Sequence, residues 1–324
     1  MSVVPRAGNG KVTVPELLQR KLGTADSKNT SRTPFGRGLA GEFASDAGLT
    51  SDSDAKKIVC LTAYDYPTAR LLDEAGVDVL LVGDSLSMVM LGYESTLPVT
   101  IEEMLLLTRA VKRGVKRALV VADMPYGSYH GDTAEAVKNA VRFVKEAGAE
   151  AVKVEGGERR LELIARLTEA EIPVMGHVGL TPQSVNALGG FRVQGKTVDA
   201  AEQVMRDARA VEAAGAFAVV LEAMPRELAA QITRDLRIPT IGIGAGPDCD
   251  GQILVFHDLV GLTFGKTPKF ARRYANVSEV IAKAAREYCE DVRGGTFPSD
   301  GESYHAAQMA KEEKEETVNK DGDW

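Results

Sequence analysis

The sequence predicts an α/β protein built as a (β/α)8 TIM barrel. Three observations carry that expectation. Short apolar runs alternate with amphipathic stretches roughly eight times over about 240 residues, the repeat that a closed barrel requires. The runs are rich in Val, Ile and Leu and mostly lack strict alternation, as parallel strands buried on both faces do. The first strand-to-helix turn carries no GxGxxG, which removes the strongest argument for a doubly wound dinucleotide-binding sheet.

Taken in order, residues 1–23 form an N-terminal region with a helix expected over 14–20. Residues 24–54 are rich in Ser, Thr, Asp and Gly without a sustained apolar period, and read as a flexible insertion. The barrel is expected to occupy 55–298. Strand one (58–63) leads to a helix over 67–75, strand two (77–83) to one over 101–114, and strand three (118–122) to one over 133–148. Strand four (151–155) leads to a helix over 159–170, strand five (173–178) to 199–215, and strand six (217–222) to 225–236. Strands seven (239–243) and eight (252–262) close the set. Gly76, Gly114, Gly148 and Gly215 stand where those helices should stop, a common C-terminal signal. Residues 299–324 turn Lys/Glu-rich after Tyr304 and read as a disordered, solvated tail.

Composition narrows the class of function. The 324 residues carry a net charge of −7, which leaves no electrostatic footprint for nucleic acid or an anionic membrane. No run approaches the roughly 20 apolar residues of a membrane helix, and the start lacks the apolar core of a secretory signal. Cys60, Cys249 and Cys289 are odd in number, widely spaced and form no CxxC. That argues against a disulfide scaffold or a cysteine zinc site, fits a reducing compartment, and leads us to expect a cytoplasmic protein.

Catalysis in such a barrel belongs at the C-terminal ends of the strands. If those ends were structural they should be apolar, and they are not. Strand two ends in Gly83-Asp84-Ser85, strand three in Ala122-Asp123, strand four carries Lys153 and Glu155, strand five His177, and strand six ends in Leu221-Glu222. Charges on buried strands cost several kcal/mol each unless paired, solvated or metal-bound. Asp84, Asp123 and Glu155 are hard oxygen ligands with no soft cysteine among them, which points to Mg²⁺. Lys153 and Glu155 are two apart, so an extended strand turns both to one side, the Lys toward an anionic substrate and the Glu toward the metal or its waters.

Plainer readings exist for each residue alone. A strand-end Asp is often a turn or cap residue, and Lys153 with Glu155 could be an internal ion pair. His177 could be a core histidine bonded to backbone. The run Gly242-Ile243-Gly244-Ala245-Gly246 could cradle an anion or be a tight turn. Coincidence on five consecutive strands favours a site.

The motifs also resemble a known family. Leu61-Thr62-Ala63-Tyr64-Asp65, Val82-Gly83-Asp84-Ser85, Ser95-Thr96-Leu97-Pro98-Val99-Thr100 and Val152-Lys153-Val154-Glu155-Gly156-Gly157 are similar to those of the ketopantoate hydroxymethyltransferases. So are Gly176-His177-Val178-Gly179-Leu180-Thr181-Pro182-Gln183, Val193-Gln194-Gly195, the 242–246 run, Asp250-Gly251-Gln252, His257-Asp258 and Pro268-Lys269-Phe270. The resemblance spans 12–23 and 57–298 in order.

It implies a barrel of the phosphoenolpyruvate/pyruvate type that moves a hydroxymethyl group from its co-substrate 5,10-methylenetetrahydrofolate to 3-methyl-2-oxobutanoate. The product would be 2-dehydropantoate (ketopantoate), for pantothenate and coenzyme A synthesis, through an enolate stabilised by Mg²⁺. By the same likeness Asp84 and Asp123 would bind Mg²⁺ and Glu155 would hold its shell. Asp84, Ser85, Asp123 and Lys153 would contact the keto acid, and Glu222 would accept the proton. In the mechanism that follows from these roles, His177 is a candidate for a hydrogen bond in the second half-reaction, ranked below Glu222. A homodecamer is implied as well. The chain departs from the family at the 24–54 insertion, at Ser87 where Gly is usual, and at Ala223 where Cys is frequent. Two other readings are another Mg²⁺-dependent 2-oxo acid lyase or mutase, which usually carries a Lys-Cys-Gly-type loop not found here, and an inert folate-binding scaffold.

Overall fold

Eight parallel strands close on themselves in sequence order, the last pairing back to the first. The computed structural model describes residues 10–28, 56–265 and 267–306. In chain order the elements are α1 (Val14–Lys28), β1 (Ile58–Thr62), α2 (Tyr66–Glu74), β2 (Val79–Val82), α3 (Leu86–Val89), α4 (Ile101–Gly114) and β3 (Leu119–Asp123). There follow α5 (Thr133–Lys145), β4 (Ala151–Glu155), α6 (Leu161–Glu169), β5 (Val174–Gly179), α7 (Val185–Leu188), α8 (Val198–Ala213) and β6 (Ala218–Glu222). The set ends with α9 (Arg226–Asp235), β7 (Thr240–Ile243), β8 (Gly251–Leu254), α10 (Phe256–Val260) and α11 (Val277–Gly294).

Side chains alternate between the two faces of each strand. The outward set, including Leu80, Val120, Val152, Val154, Val219 and Leu221, packs with the apolar stripes of the surrounding helices. The inward set starts apolar at the strand beginnings, with Ile58, Val79, Leu119, Ala151, Met175 and Ala218. Val12 and Leu17 join that inner cluster, so α1 and the segment before it close the N-terminal end of the barrel. Two residues further along the inward face the column turns polar: Asp123 follows Val121, Lys153 follows Ala151, His177 follows Met175, and Glu222 follows Val220. Period two therefore stacks the charged residues on top of an apolar floor.

Local chemistry sets the helix starts. Asp65 caps α2 by accepting from the Thr68 N–H, Thr100 and Glu103 form a reciprocal capping box at α4, and Asp132 and Thr197 cap α5 and α8. Gly76, Gly148 and Gly215 adopt the left-handed conformation just past their helices, as expected. Gly114 does not: it is the last residue of α4, and a Cβ there would stand 2.7 Å from the Tyr66 carbonyl of α2. Its glycine serves helix packing rather than a stop.

Several expectations change. The helix expected over 14–20 runs to Lys28, into the stretch read as insertion, and 29–55 lies outside the described residues. The apolar run 252–262 is not one strand. It pairs only to Leu254, and the Phe256 N–H then donates to Thr62 Oγ1 as the chain enters α10. The chain also separates into two compact units: one reaches Leu259 and takes in Thr263–Arg272, and the other comprises Val260–Leu262 and the chain from Arg273 onward. Helix α11, which the strand-and-helix reading lacked, belongs to the second unit. Of the expected tail, 299–306 holds a short 3-10 turn at Asp300–Glu302, and 307–324 lies outside the described residues.

Candidate active site

The polar column at the strand ends forms one continuous cluster. Asp84, Asp123, Lys153, Glu155 and His177 are each no more than 5% exposed. Asp123 Oδ2 accepts from the Asp84 backbone N–H at 2.9 Å, so neither Asp acts as the turn cap that either could have been alone. Lys153 Nζ lies 2.9 Å from Asp123 Oδ1 and 3.8 Å from Glu155 Oε1. Its principal partner is thus the neighbouring strand's Asp, not the Glu two residues on. Ser85 reaches the Tyr64 hydroxyl at 2.9 Å. Glu222, at the end of β6, keeps 15% of its side chain open to solvent.

His177 is neither isolated nor bonded to backbone through its ring. Nε2 faces Glu222 Oε2 at 3.1 Å, while Nδ1 lies 3.3 Å from Glu155 Oε1 and 3.2 Å from Lys153 Nζ. Burial and the Lys153 charge oppose its protonation, but Glu155 and Glu222 outweigh them and push its pKa up to about 9. Gly179 brings β5 against β6 here. Its φ is +92°, and a Cβ would meet the Glu222 carbonyl at 2.3 Å, so only glycine allows that approach. Directly after Glu222, Ala223 takes a left-handed φ of 47°, a strained conformation for a residue with a Cβ. Its N–H donates to Ile243 O and its carbonyl accepts from the Gln194 N–H.

The charges do not balance. Burial, then Asp123 and Glu155, hold the Asp84 carboxyl well above the usual range, although Lys153 and Gln183 pull the other way. Burial likewise raises Asp123 against the pull of Lys153. Burial would raise Glu155 too, but His177, Lys153 and the Gln183 N–H hold it below its ordinary value. Lys153 is raised despite its burial because three carboxylates surround it. Asp123 Oδ1, Glu155 Oε1 and His177 Nε2 are buried with no hydrogen-bond partner among the described residues. The ion-pair distances to Asp123 Oδ1 and His177 Nε2 are short but misaligned, so those contacts are coulombic rather than directed.

Unsatisfied carboxylate oxygens beside undercompensated negative charge fit a small hard cation. No cage of three or more His, Cys, Asp or Glu ligands stands ready among the described residues. That suits an ion held by one or two carboxylates with water and substrate completing its shell.

The sequence did not single out Gln183 or Tyr129 for a role, yet both are buried inside the cluster. Gln183 was visible only as the last residue of the 176–183 motif. Tyr129 sits in the segment after β3 with no local pattern to mark it. The glycine run at 242–246 is a packed turn: Cβ atoms at Gly244 and Gly246 would meet Phe270 and Arg226 at 2.6 and 2.4 Å. Cys60, Cys249 and Cys289 are free, the first two buried and the third exposed.

A parallel barrel with a buried acid–base cluster at its C-terminal mouth defines the class, a TIM-barrel enzyme. Among solved structures, 2,3-dimethylmalate lyase, a PEP mutase/isocitrate lyase superfamily member, matches with a TM-score of 0.50 at 17% identity, over 82% of this chain and 94% of that one. At that identity the likeness speaks for the fold. Ketopantoate hydroxymethyltransferase is the family that matches residues 48–300. The 3-methyl-2-oxobutanoate hydroxymethyltransferase of Koribacter versatilis (strain Ellin345) is 57% identical over 284 residues, 86% of this chain and 96% of that protein. The protein of the same name from Syntrophus aciditrophicus (strain SB) is 58% identical over 249 residues, 77% and 92% of the two chains. The chain belongs to the ketopantoate hydroxymethyltransferase family.

Proposed function

We propose that the chain transfers a hydroxymethyl group from 5,10-methylenetetrahydrofolate to 3-methyl-2-oxobutanoate, giving 2-dehydropantoate. The observation that carries this reading is the convergence of Asp84, Asp123, Lys153, Glu155 and Glu222 on one barrel mouth in a chain of this family. Asp84 and Asp123 would hold Mg²⁺, with Glu155 bonded to its water shell. Bound there, the ion supplies Lewis-acid polarisation of the keto acid's oxygens.

The protein's own groups do the rest. Lys153 presents a buried positive charge to the anionic keto acid, and Ser85, held by Tyr64, offers a hydroxyl beside it. Glu222 takes the proton from C3, leaving the bonding pair on the enolate. His177, 3.1 Å away, offsets the charge of that carboxylate. C3 then bonds to the methylene carbon carried by the folate. One of its two nitrogen–methylene bonds breaks as C3 attacks. Water then cleaves the second, leaving its oxygen on the methylene carbon. The two freed nitrogens take up the C3 proton and a water proton to give 2-dehydropantoate and tetrahydrofolate.

The same reading carries a cytoplasmic location and a homodecamer, and light scattering on the purified protein tests the assembly. No helix among the described residues is long and apolar enough to cross a membrane.

Deuterium exchange at C3 of 3-methyl-2-oxobutanoate, followed by NMR in D₂O with and without Mg²⁺, tests the first half-reaction. Exchange that requires the metal, followed by product on adding methylenetetrahydrofolate, is the expected result. Absence of exchange from folded protein would overturn the reading.

A further inference from the structure

One residue links parts of the mouth that its charged members do not. Gln183 is 4% exposed and lies in the 3-10 turn Pro182–Ser184 that follows β5. Its backbone N–H donates to Glu155 Oε2 at 3.0 Å. Its side-chain Nε2 donates to Asp84 Oδ2 at 2.8 Å and to the Met124 carbonyl at 3.0 Å. Its Oε1 accepts from the Tyr129 hydroxyl at 2.6 Å, and that hydroxyl in turn accepts from the Glu155 N–H at 3.1 Å. Arg160 lies over the Tyr129 ring, 5.2 Å from its centroid.

The direction of these bonds is fixed. Tyr129 accepts from the Glu155 N–H and donates its own hydrogen to Gln183 Oε1. A flipped amide would set Oε1 against the Asp84 carboxylate and the Met124 carbonyl, two groups that cannot donate while Asp84 is ionised. No other side chain of this length carries both donor and acceptor at its tip. A Glu would present a like charge to Asp84, and a Met would fill the space but leave buried Asp84 Oδ2 and Met124 O unpaired and the Tyr129 hydroxyl hydrogen without its acceptor.

We propose that Gln183 is the positioning residue for the cation side of this site. It sets the separation and rotation of the Asp84 and Glu155 carboxylates, committing Oδ2 of one and Oε2 of the other so that each offers a defined remaining oxygen. The inference rests on the assignment of those two carboxylates to a divalent cation and its waters. Gln183 acts through them and touches no reacting atom. Partners of this kind usually change metal affinity by about 10- to 100-fold when removed.

The test compares Mn²⁺ binding, read as loss of the free-ion EPR signal, in the full chain and in Gln183→Met and Tyr129→Phe, with far-UV CD to confirm folding. Gln183→Met should weaken Mn²⁺ binding about 10- to 100-fold. Tyr129→Phe should weaken it less, because Asp84 and Met124 still hold Nε2. Saturating metal should restore C3 exchange in both, which a merely structural loss would not allow. Wild-type Mn²⁺ affinity in folded Gln183→Met, or lost exchange that metal does not restore, would overturn the inference. Should Gln183→Met not fold, unchanged Mn²⁺ affinity in Tyr129→Phe has the same force. Mn²⁺ binding by a wild-type chain that catalyses no exchange would sink the proposed reaction and leave the Gln183 comparison standing. A wild-type chain that binds no Mn²⁺ overturns the inference outright.

Discussion

The two ends of this barrel treat buried charge in opposite ways. At the N-terminal end the carboxylates of Asp73, Asp78 and Asp250 are answered by donors of the protein itself. Asp73 accepts from the backbone N–H groups of Lys116, Arg117 and Ala118. Asp78 pairs with Arg20 and Arg117 at 3.1 Å each and accepts from the Val59 N–H. Asp250 takes Lys21 of α1 at 2.8 Å together with the Thr240 N–H and hydroxyl. At the C-terminal end Asp84 and Asp123 crowd each other, and Asp123 Oδ1, Glu155 Oε1 and His177 Nε2 find no hydrogen-bond partner among the described residues. One end uses charge to fasten α1 to the barrel, and the other keeps charge uncompensated for a ligand to complete. Stability and function are therefore separable along the barrel axis.

Glu222→Gln is the severest way to break the mouth. It should lower C3 exchange by about 10²- to 10⁴-fold, the usual worth of a positioned general base, while metal-dependent binding of the keto acid persists. Exchange measured by NMR beside keto-acid binding by calorimetry checks it, and undiminished exchange would remove Glu222 as the base.

Lys21→Met attacks the other end. Stripping a buried carboxylate of its cation costs about 3–5 kcal/mol, and the Thr240 donors that still hold Asp250 put the effect toward the lower figure. Urea denaturation should register that loss, with exchange per folded molecule unchanged. A drop in exchange that matched the loss of stability would show the two ends to be coupled.

Asp84→Asn should move stability the other way. Burial and two neighbouring carboxylates disfavour the Asp84 charge, while an Asn oxygen still accepts from Gln183. In metal-free buffer the variant should gain about 0.5–2 kcal/mol while losing exchange, the trade expected where a site is held in a destabilised state. A destabilised Asp84→Asn would mean that the mouth is better compensated than its geometry indicates.

The smallest effect concerns Glu150, at the N-terminal end. Burial raises its pKa, but Lys11, the Val120 N–H and Lys112 outweigh it and hold the carboxyl below its ordinary value. A lowered carboxyl pKa adds stability above the unfolded-state pKa, and that stability is lost as pH falls through the folded value. Its partner Lys11 is lowered too, burial outweighing Glu150, so the pair's net worth is reduced. For a half-exposed pair the contribution stays under about 1 kcal/mol. Urea midpoints for the wild type and Glu150→Gln should converge as pH drops through the acid range and separate slightly above it. Parallel curves would assign the contact no role in the pH dependence.

Much of the mouth was legible before any coordinate. Buried parallel strands are short and apolar, so a charge at a strand end is conspicuous, and Asp84, Asp123, Lys153, Glu155, His177 and Glu222 announced themselves that way. The same rule misled at 252–262, where apolarity continues past the point at which Thr62 ends strand pairing by accepting from the Phe256 N–H. It was silent on α11, whose residues are not buried and which belongs to a second unit.

By itself, then, the amino-acid order determined the barrel, the sequence of its strands and the identity of the charged residues, because period-two burial and strand ends are local properties. Only the tertiary structure decided how those residues are partnered. The Gln183–Asp84 bond joins residues 99 apart and the Glu155–Tyr129 bond residues 26 apart. His177 sits between Glu155 and Glu222 only because Gly179 lets β5 lie against the Glu222 carbonyl. Whether a buried charge is answered depends on donors brought in by chain closure from distant positions, and no local pattern encodes that.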